Sequence, residues 1–381
     1  MSRHSEILVS LKSPKTGANL RFFPVLTNMI SQQCLPPVFS AVHEVGDGTF
    51  STVFSAFDAS RGTTVAVKVA KNKAGAALMA KEAKTMHRLR HCQCKAYPGI
   101  PKLLNSAVDP YIVMDLVGRS LFDIHLALRH FSLKTVLMIA IKTLTALEEL
   151  HGCGYVHHDI KPDNLATALS PSDPRIFLID LGLSLPYCWD GQHCSYAETS
   201  GFQGTPFFCS VNMLKGVRAT RRDDVEALGY VLIYLLTGKL PWISGPRRSF
   251  RDLYQIREKV TAVKVCAEVD GEFRTYLETC QGLSFEEKPN YNLLRHLFTG
   301  LARRKELVLD WKYDWCESNP CEKRDISSSE QTAKRIGRKR VGVFMRDLAT
   351  KTHVPHPSVT AQQKEEETLT PLLDQCSHPC T

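Results

Sequence analysis

Long hydrophobic runs are missing from this chain of 381 residues. Its most apolar uninterrupted stretch, residues 231–236, is far shorter than the roughly 20 residues that a membrane-spanning helix needs. The first residues also lack the apolar core of a secretory signal, and no internal repeat is visible. We therefore expect neither a membrane-embedded nor a secreted protein, and no membrane partner.

Cysteine is not scarce, but the 13 cysteines show no repeated spacing and their number is odd. This usage predicts reduced thiols and a cytoplasmic or nuclear location. The formal net charge of +9 favours acidic or phosphate-bearing partners without indicating a fold. A basic cluster at residues 334–340 is compatible with a nuclear signal or a nucleic-acid contact. A solvated tail is the favoured interpretation, so we do not expect a nucleic-acid partner.

Periodicity divides the chain into a strand-rich part and a helix-rich part. Alternation typical of strands covers residues 39–70, whereas helical periodicity begins near residue 74 and continues to about residue 315. Strands first and helices later predict an α+β fold of two lobes with the active site between them. A flexible arm is predicted over residues 1–36, and a mostly disordered basic and polar tail over residues 317–381.

Two glycines lie between strand-like segments in the run VGDGTFSTV. Gly46 and Gly48 permit a tight turn whose backbone amides can approach phosphates. The third glycine of a GxGxxG pattern is absent, because Ser51 stands in its place. The pattern leaves open a phosphate-binding loop and a plain β-hairpin turn, and it favours the hairpin.

A lysine and a glutamate form the next candidate pair. In the strand-like run TTVAVKVA, Ala66 and Lys68 share one face, which suits a flat ligand below a phosphate. Glu82 lies on the apolar stripe of the following helix, where a carboxylate is costly unless a cation meets it. We predict that Glu82 pairs with Lys68 and holds it toward nucleotide phosphates. The alternatives are an edge-strand lysine facing water and a glutamate that bends out to solvent.

The strongest pattern is YVHHDIKPDNL, followed by IFLIDLGL. Phosphoryl transfer needs positioning, metal ions and cancellation of charge more than covalent help. Asp159 can accept the hydroxyl proton, and Lys161 can neutralise charge on the moving phosphoryl group. Asn164 and Asp180 offer the hard oxygen ligands that Mg²⁺ prefers. A polar turn without function is the alternative, and the combination of both runs disfavours it.

On these motifs, from about Phe39 to Trp315, the chain resembles the eukaryotic protein kinases. The run HHDIKPDN is similar to their HRDxKxxN, DLG to their DFG, and VAVK to their strand lysine motif. The resemblance implies ATP and Mg²⁺ as cofactors and a kinase domain over residues 37–316. It implies a small antiparallel β-sheet lobe with one helix over residues 37–114 and a larger, mainly helical lobe over residues 118–316.

The same resemblance implies a nucleotide site. Met114 would be the gatekeeper residue, and Asp115 to Val117 would form the hinge that hydrogen-bonds adenine. Val53 and Ala66 would enclose the base from its two faces.

A narrower resemblance is carried by GTPFFCSVN, RRDDVEALGYVLIYLLTGKLPW and FEEKPNYNLLRHLF. These runs are similar to the casein kinase I group, with the tau-tubulin and vaccinia-related kinases as close alternatives. The resemblance implies a non-specific serine/threonine protein kinase that acts on protein substrates, and we expect a monomer. In that pattern Thr205 contacts the catalytic aspartate and lysine, and Asp224 braces the catalytic loop.

Two departures from the family pattern bear on regulation and specificity. His158 stands where kinases carry an arginine that receives a phosphate on the activation loop, so we predict that activity does not require loop phosphorylation. Phe207 stands where casein kinase I has an arginine that helps bind acidic or phosphorylated substrates. Arg247 and Arg248 remain as candidates for anion binding.

Two rival functions stay open at this point. The first is a pseudokinase, an ATP-binding scaffold module that kept the fold, although every catalytic position is filled. The second is a small-molecule phosphotransferase of the aminoglycoside type, which shares an aspartate and asparagine pattern. The RRDD run and the SVN segment favour a protein substrate over that second rival.

Overall fold

The computed structural model describes residues 35, 38–92, 99–105, 111–199, 202–243 and 249–317. The predicted arm and tail, the basic cluster at residues 334–340 and the pair Arg247 and Arg248 lie outside the described residues, apart from positions 35 and 317. Every described helix and strand belongs to one unit that begins at Val38. Within the described part of the chain, no helix combines the length and the apolar character that crossing a bilayer requires.

The N-terminal part is a four-stranded antiparallel sheet with one helix. The strands follow one another in the order of the chain and are β1 (Phe39–Asp47), β2 (Ser51–Asp58), β3 (Thr63–Ala70) and β4 (Tyr111–Asp115). Valines alternate along β3 in the pattern that favours a strand, and both of its faces are buried. Helix α1 (Lys73–His91) begins at Asn72, whose side chain accepts a hydrogen bond from the backbone N–H of Gly75.

The C-terminal part is mainly helical. Its helices are α2 (Leu121–Leu128), α3 (Leu133–Gly152), α4 (Val211–Leu214), α5 (Arg221–Thr237), α6 (Phe250–Lys259), α7 (Ala262–Val265), α8 (Gly271–Gln281), α9 (Tyr291–Arg304) and α10 (Asp314–Glu317). Three short antiparallel pairs lie among them: β5 (Tyr155–Val156) with β8 (Leu185–Pro186), β6 (Leu165–Thr167) with β7 (Ile176–Leu178), and β9 (Cys188–Trp189) with β10 (Gln192–His193).

Helix α5 lies at the centre of the helical part, and its sequence from Val225 to Leu236 is apolar nearly all round, which favours such a buried position. Val225, Leu228 and Leu232 have no exposed surface, and the helix packs between α3 and α8. A capping box between Thr220 and Asp223 starts it, and Gly238 with a φ of +70° ends it. This buried helix is the rigid base on which the loops of the candidate site are anchored.

The antiparallel sheet with one helix, followed by a mainly helical part, confirms the predicted α+β fold of two lobes. The predicted junction at residues 114–118 covers the end of β4 and the start of the connection to α2. The cysteines that the structure describes are free thiols. Helix α1 packs on the 3₁₀ turn at Leu181–Leu183, which belongs to the helical lobe, so one helix of the small lobe reaches the candidate site.

Candidate active site

The predicted pair of Lys68 and Glu82 is formed, and Asp180 joins it. The Lys68 Nζ atom lies 2.5 Å from Oε2 of Glu82 and 2.9 Å from Oδ1 of Asp180. The second oxygen of Glu82 accepts a hydrogen bond from the backbone N–H of Leu181 at 3.1 Å. Glu82 therefore connects β3, α1 and the turn after β7, three elements that are far apart in the chain.

Electrostatics fix the charge states of this group. Burial opposes the charged form of Lys68, but the carboxylates of Asp180 and Glu82 outweigh it and raise the pKa of Lys68 above its ordinary value. The Lys68 ammonium holds the pKa of Asp180 well below its ordinary range. Burial raises the pKa of Glu82 while the Lys68 charge opposes that shift. Asp180 is thus an anion whose side chain is half exposed to the cleft.

Asp159, Lys161 and Asn164 converge on the loop after β5. Lys161 Nζ donates to Oδ2 of Asp159 at 2.6 Å and to Oγ1 of Thr205 at 3.0 Å. Asn164 Nδ2 donates to the carbonyl oxygen of Asp159 at 2.9 Å and to its Oδ2 at 3.0 Å. The other carboxylate oxygen of Asp159, Oδ1, is buried and has no hydrogen-bond partner among the described residues. A buried acceptor of this kind is costly unless a ligand group meets it.

The loop is held from below by Asp224, which is 2% exposed on the first turn of α5. Its carboxylate accepts backbone N–H groups of His157 at 2.6 Å and of His158 at 2.9 Å, and it lies 2.9 Å from Nε2 of His151. Burial works to raise the pKa of Asp224, but these partners lower it below its ordinary value. The structure therefore gives Asp224 the bracing contacts that the resemblance implies.

The sheet register puts the predicted nucleotide-binding side chains on one face. Val53 lies opposite Lys68, and Ala66 lies opposite Met114. Paired residues of an antiparallel ladder share a face, as do residues two apart in one strand. Val53, Ala66, Lys68 and Met114 consequently line the same side of the sheet.

The glycine run forms the turn of the β1–β2 hairpin, in agreement with the favoured interpretation of its sequence. Gly46 lies inside β1, and the Gly48 N–H donates to the carbonyl oxygen of Ser51 at 2.9 Å. Lys71 Nζ donates to the carbonyl oxygen of Gly48 at 2.7 Å, which ties the turn to the end of β3. Lys71 escaped the sequence analysis because a lysine after a strand carries no pattern of its own.

The predicted hinge is held against β6. The Asp115 N–H donates to the carbonyl oxygen of Lys102 at 3.0 Å, so this amide is not available to a ligand. The Gly118 N–H donates to the carbonyl oxygen of Thr167 at 2.7 Å. A Cβ at position 118 would lie 2.3 Å from Thr167 Oγ1. This close approach of the two segments requires glycine at position 118.

Asn164 and Asp180 form a donor set that suits Mg²⁺. Both hydrogen bonds of Asn164 within the loop use Nδ2, which leaves its amide oxygen for a cation. Among the described residues, no three or more His, Cys, Asp or Glu side chains are grouped as a metal site. Mg²⁺ is commonly bound by one or two protein oxygens together with substrate phosphates and water, and the residues present fit that mode.

A second contact was missed by sequence reasoning. The guanidinium of Arg88 on α1 lies 4.5 Å from the ring of Trp189 on β9, and its NH1 donates to the hydroxyl of Tyr155 at 3.2 Å. The stacked pair connects the helix that carries Glu82 with the segment after Asp180. Its only sequence signal is the Asp190 and Gly191 turn, which predicts a hairpin there but not its partner.

A family model described as a protein kinase domain matches residues 39–298, which is more than half of the chain. The matched range contains every residue of the site described above.

Proposed function

The chain belongs to the protein kinase family, and we propose that it transfers the γ-phosphoryl group of ATP to serine and threonine hydroxyls of proteins in the manner of the casein kinase I group. The observation that carries the proposal is the convergence of Asp159, Lys161 and Thr205 beside Asn164, next to the strand end that supplies Asp180 to the pair of Lys68 and Glu82.

In this proposal Asp159 is the catalytic base. Its buried Oδ1 atom has no described partner and is the acceptor for the proton of the attacking hydroxyl. Its other oxygen is held by Lys161 and Asn164, so the carboxylate cannot rotate away. Lys161 stands beside the path of the moving phosphoryl group and stabilises its charge. Thr205 orients Lys161 through the 3.0 Å hydrogen bond.

Nucleotide phosphates are assigned to Lys68 and to the turn with Gly46 and Gly48, where the absence of side chains lets the backbone approach a ligand. Glu82 holds Lys68 in position. Asn164 and Asp180 would hold Mg²⁺, which supplies charge neutralisation between the phosphates when bound. The low pKa of Asp180 keeps it ionised for this role at physiological pH.

The adenine is assigned to the face of the sheet shared by Val53, Ala66 and Met114. The small side chain of Ala66 leaves room for a flat ring next to Lys68. Backbone groups of Asp115 and Val117 supply hydrogen bonds to its edge.

The proposed specificity for serine and threonine is supported by Lys161 in the run HHDIKPDN and by its bond to Thr205. A preference for acidic or pre-phosphorylated substrates finds no support at Phe207, which is 2% exposed and packed in the core. We propose that substrate selection does not require an acidic or phosphorylated residue of the substrate to bind near Phe207. A peptide library that shows strong selection for upstream phosphoserine would contradict it.

His158 supports independence from loop phosphorylation. Its side chain is half-buried, with Nδ1 3.2 Å from the carbonyl oxygen of Leu183. Burial lowers the pKa of His158, so it is a neutral ring rather than a cation that could bind a phosphate. Phosphatase-treated protein should retain its activity, and complete loss after that treatment would contradict the proposal.

The test of the function is a kinase assay on a peptide array with labelled ATP, followed by identification of the phosphorylated amino acid. Wild type is compared with Asp180→Ala and with Asp190→Ala, which changes an exposed aspartate of the β9–β10 turn. We expect transfer to serine and threonine peptides by wild type and Asp190→Ala only. ATP binding without transfer in wild type would favour a pseudokinase, and transfer to aminoglycosides rather than casein would favour a small-molecule phosphotransferase.

A further inference from the structure

Helix α6 carries an arginine in an unusual position. Arg257 is 2% exposed, although arginine is among the residues least often buried without a partner. It follows Leu253 at helical spacing, so it lies on the stripe that the helix turns toward the core. Among the described residues it forms no ion pair with a carboxylate.

The guanidinium instead donates hydrogen bonds to three backbone carbonyls of one segment. Its NH1 donates to Pro206 and Phe207 at 3.3 Å each, and its NH2 donates to Cys209 at 2.5 Å. A planar fork of donors suits several acceptors that lie side by side, which a lysine ammonium cannot match in the same geometry.

Aromatic rings fix the plane of this guanidinium. Its central carbon lies 4.1 Å from the ring centroid of Trp242 and 4.5 Å from that of Tyr230. The Trp242 indole N–H donates to the carbonyl oxygen of Phe207 at 2.8 Å, so ring and guanidinium share one acceptor. Stacking of this kind strengthens when the cation is removed from water.

A buried carboxylate balances the charge at a distance. Glu226 on α5 is 2% exposed and accepts a hydrogen bond from the hydroxyl of Tyr230 at 2.7 Å. Burial raises its pKa, and the opposing influences include the Tyr230 bond, the charge of Arg257 and the backbone N–H of Val211. Arg257 thus holds the carbonyls of residues 206, 207 and 209, and Glu226 holds the amide of Val211.

The held segment begins at the candidate catalytic loop. Thr205 accepts the hydrogen bond from Lys161, and its carbonyl oxygen accepts the backbone N–H groups of Phe208 at 3.3 Å and Cys209 at 3.4 Å. A shift of the 206–209 turn therefore moves Thr205 relative to Lys161 and Asp159.

We propose that Arg257 is a positioning residue: by binding the carbonyls of residues 206, 207 and 209 it sets the place of Thr205 and of the backbone against which the acceptor protein docks. The inference deepens the proposed kinase function and rests on it. Arg257 does not touch the reacting atoms. It acts through the turn, at the side of the site that receives the acceptor rather than the nucleotide.

The test compares Arg257→Met, Arg257→Lys and Arg251→Met, the last being an exposed position of the same helix. Steady-state kinetics are measured for ATP and for a protein acceptor such as casein, with the active fraction set by ATP-binding stoichiometry. For Arg257→Met we expect kcat/KM for the acceptor to fall by about 10- to 100-fold, with the KM for ATP unchanged. Arg257→Lys should recover part of the loss, and Arg251→Met should match wild type.

Hydrogen exchange provides a second readout that needs no catalysis. The amides of Phe208 and Cys209 should exchange faster in Arg257→Met than in wild type, while amides of β3 and α3 keep their protection. If Arg257→Met does not fold, Arg257→Lys decides by the same two measurements.

The proposal is overturned if the folded variants keep both the acceptor kinetics and the protection of residues 208–209. It is also overturned if the parameters for ATP and acceptor fall in proportion, since that pattern indicates a general loss of folded protein. Should wild type transfer no phosphate to any protein, the proposed function fails, whereas the exchange experiment still decides the role of Arg257.

Discussion

Asp224 accepts a 2.9 Å hydrogen bond from the backbone N–H of His158, a residue whose φ is +71°. A left-handed conformation is uncommon for residues other than glycine and persists where surrounding contacts enforce it. The buried carboxylate also accepts the N–H of His157, so two successive amides point at one anion. Asp159 follows directly, and its Oδ2 atom accepts a hydrogen bond from Lys161 Nζ at 2.6 Å.

The first prediction concerns this anchor. Asp224→Asn replaces an anion by a neutral amide whose NH₂ group faces donors, so we expect a loss of about 2–3 kcal/mol in the free energy of unfolding. Transfer should fall by about 10- to 100-fold as Asp159 loses its orientation, with ATP binding retained. Denaturant titration and a kinase assay check both effects, with Asp190→Asn as the exposed control. Unimpaired transfer by Asp224→Asn would show that the brace is dispensable.

The second prediction concerns the buried ion pair. Lys68→Met leaves the Glu82 carboxylate without its cation at 2% exposure, and we expect a loss of about 3–5 kcal/mol in the free energy of unfolding. The double variant Lys68→Met, Glu82→Gln should lose less than the sum of the two single variants, because the unpaired charge is gone.

Urea denaturation of the four proteins gives the coupling directly. Lys73→Met, an exposed lysine at the start of α1, is the control and should stay within about 0.5 kcal/mol of wild type. Additive effects of the two single variants would mean that the pair is not energetically coupled.

The third prediction concerns the hinge glycine. In Gly118→Ala the new Cβ would meet Thr167 Oγ1 at 2.3 Å and the backbone oxygen of Ala168 at 2.5 Å, and we expect a loss of about 1–3 kcal/mol. Because the second contact is backbone, adding Thr167→Ala should restore only part of that loss. The measurement is thermal unfolding together with the dissociation constant for ATP.

Gly271 offers a matched control for that experiment. It begins α8, and the structure describes no atom within 4 Å of a Cβ added there. Gly271→Ala should therefore be neutral or stabilising by about 0.4–1 kcal/mol through the unfolded state. Equal effects at positions 118 and 271 would refute a steric requirement at the hinge.

The fourth prediction is a pH dependence. Burial, with a smaller contribution from His130, lowers the pKa of His125 from 6.5 to about 4. Between pH 6.5 and 4 the unfolded chain binds a proton at His125 that the folded protein does not, so stability is complete above this window and falls as the pH is lowered through it. The contribution of His125 to the change in the free energy of unfolding over this pH window is at most about 3 kcal/mol.

The variant His125→Phe separates the contribution of His125 from the pH dependence of the rest of the protein. The ring packs against Phe131 and Tyr234, and its Nε2 has no hydrogen-bond partner among the described residues, so phenylalanine keeps the packing and removes the titration. The difference in unfolding free energy between His125→Phe and wild type should grow in favour of the variant from pH 6.5 to pH 4. His296→Gln, at an exposed site on α9, is the control. Parallel pH profiles for wild type and His125→Phe would contradict the assignment.

The spacing of residues along the chain was sufficient to predict much of the site, because most of its functional residues lie in short runs of sequence. Asp159, Lys161 and Asn164 lie within one loop, and a loop of that length brings its own side chains together. Glu82 was also readable, since a carboxylate on an apolar helical stripe needs a cation and Lys68, in the middle of the preceding strand, was its natural partner. Arg257 gives the same signal on α6, where Leu253 shares its stripe, but the sequence contains no hint that its acceptors are backbone carbonyls.

Sequence patterns could not predict the contacts between segments that are distant in the chain. The stacking of Arg88 on Trp189 joins residues about a hundred positions apart, and neither residue is unusual in its own neighbourhood. The bond from Lys71 to the Gly48 carbonyl depends on the hairpin register, which includes a bulge between Glu44 and Gly46. A bulge inserts an extra residue into one strand, and the alternation of side chains along β1 does not indicate where that residue lies.

The sequence by itself determined which atoms are available for chemistry: the carboxylates at positions 82, 159 and 180, the lysines at 68 and 161, and the order of strands and helices that carries them. Periodicity and spacing act over one or two turns of chain, so they specify elements and the groups on them. The tertiary structure alone decided that Asp180 pairs with Lys68, that Asp224 accepts the backbone N–H of His158, and that Arg257 binds the carbonyls within residues 206–209. Those arrangements depend on how α1, α5 and α6 pack, and packing is a property of all the elements together.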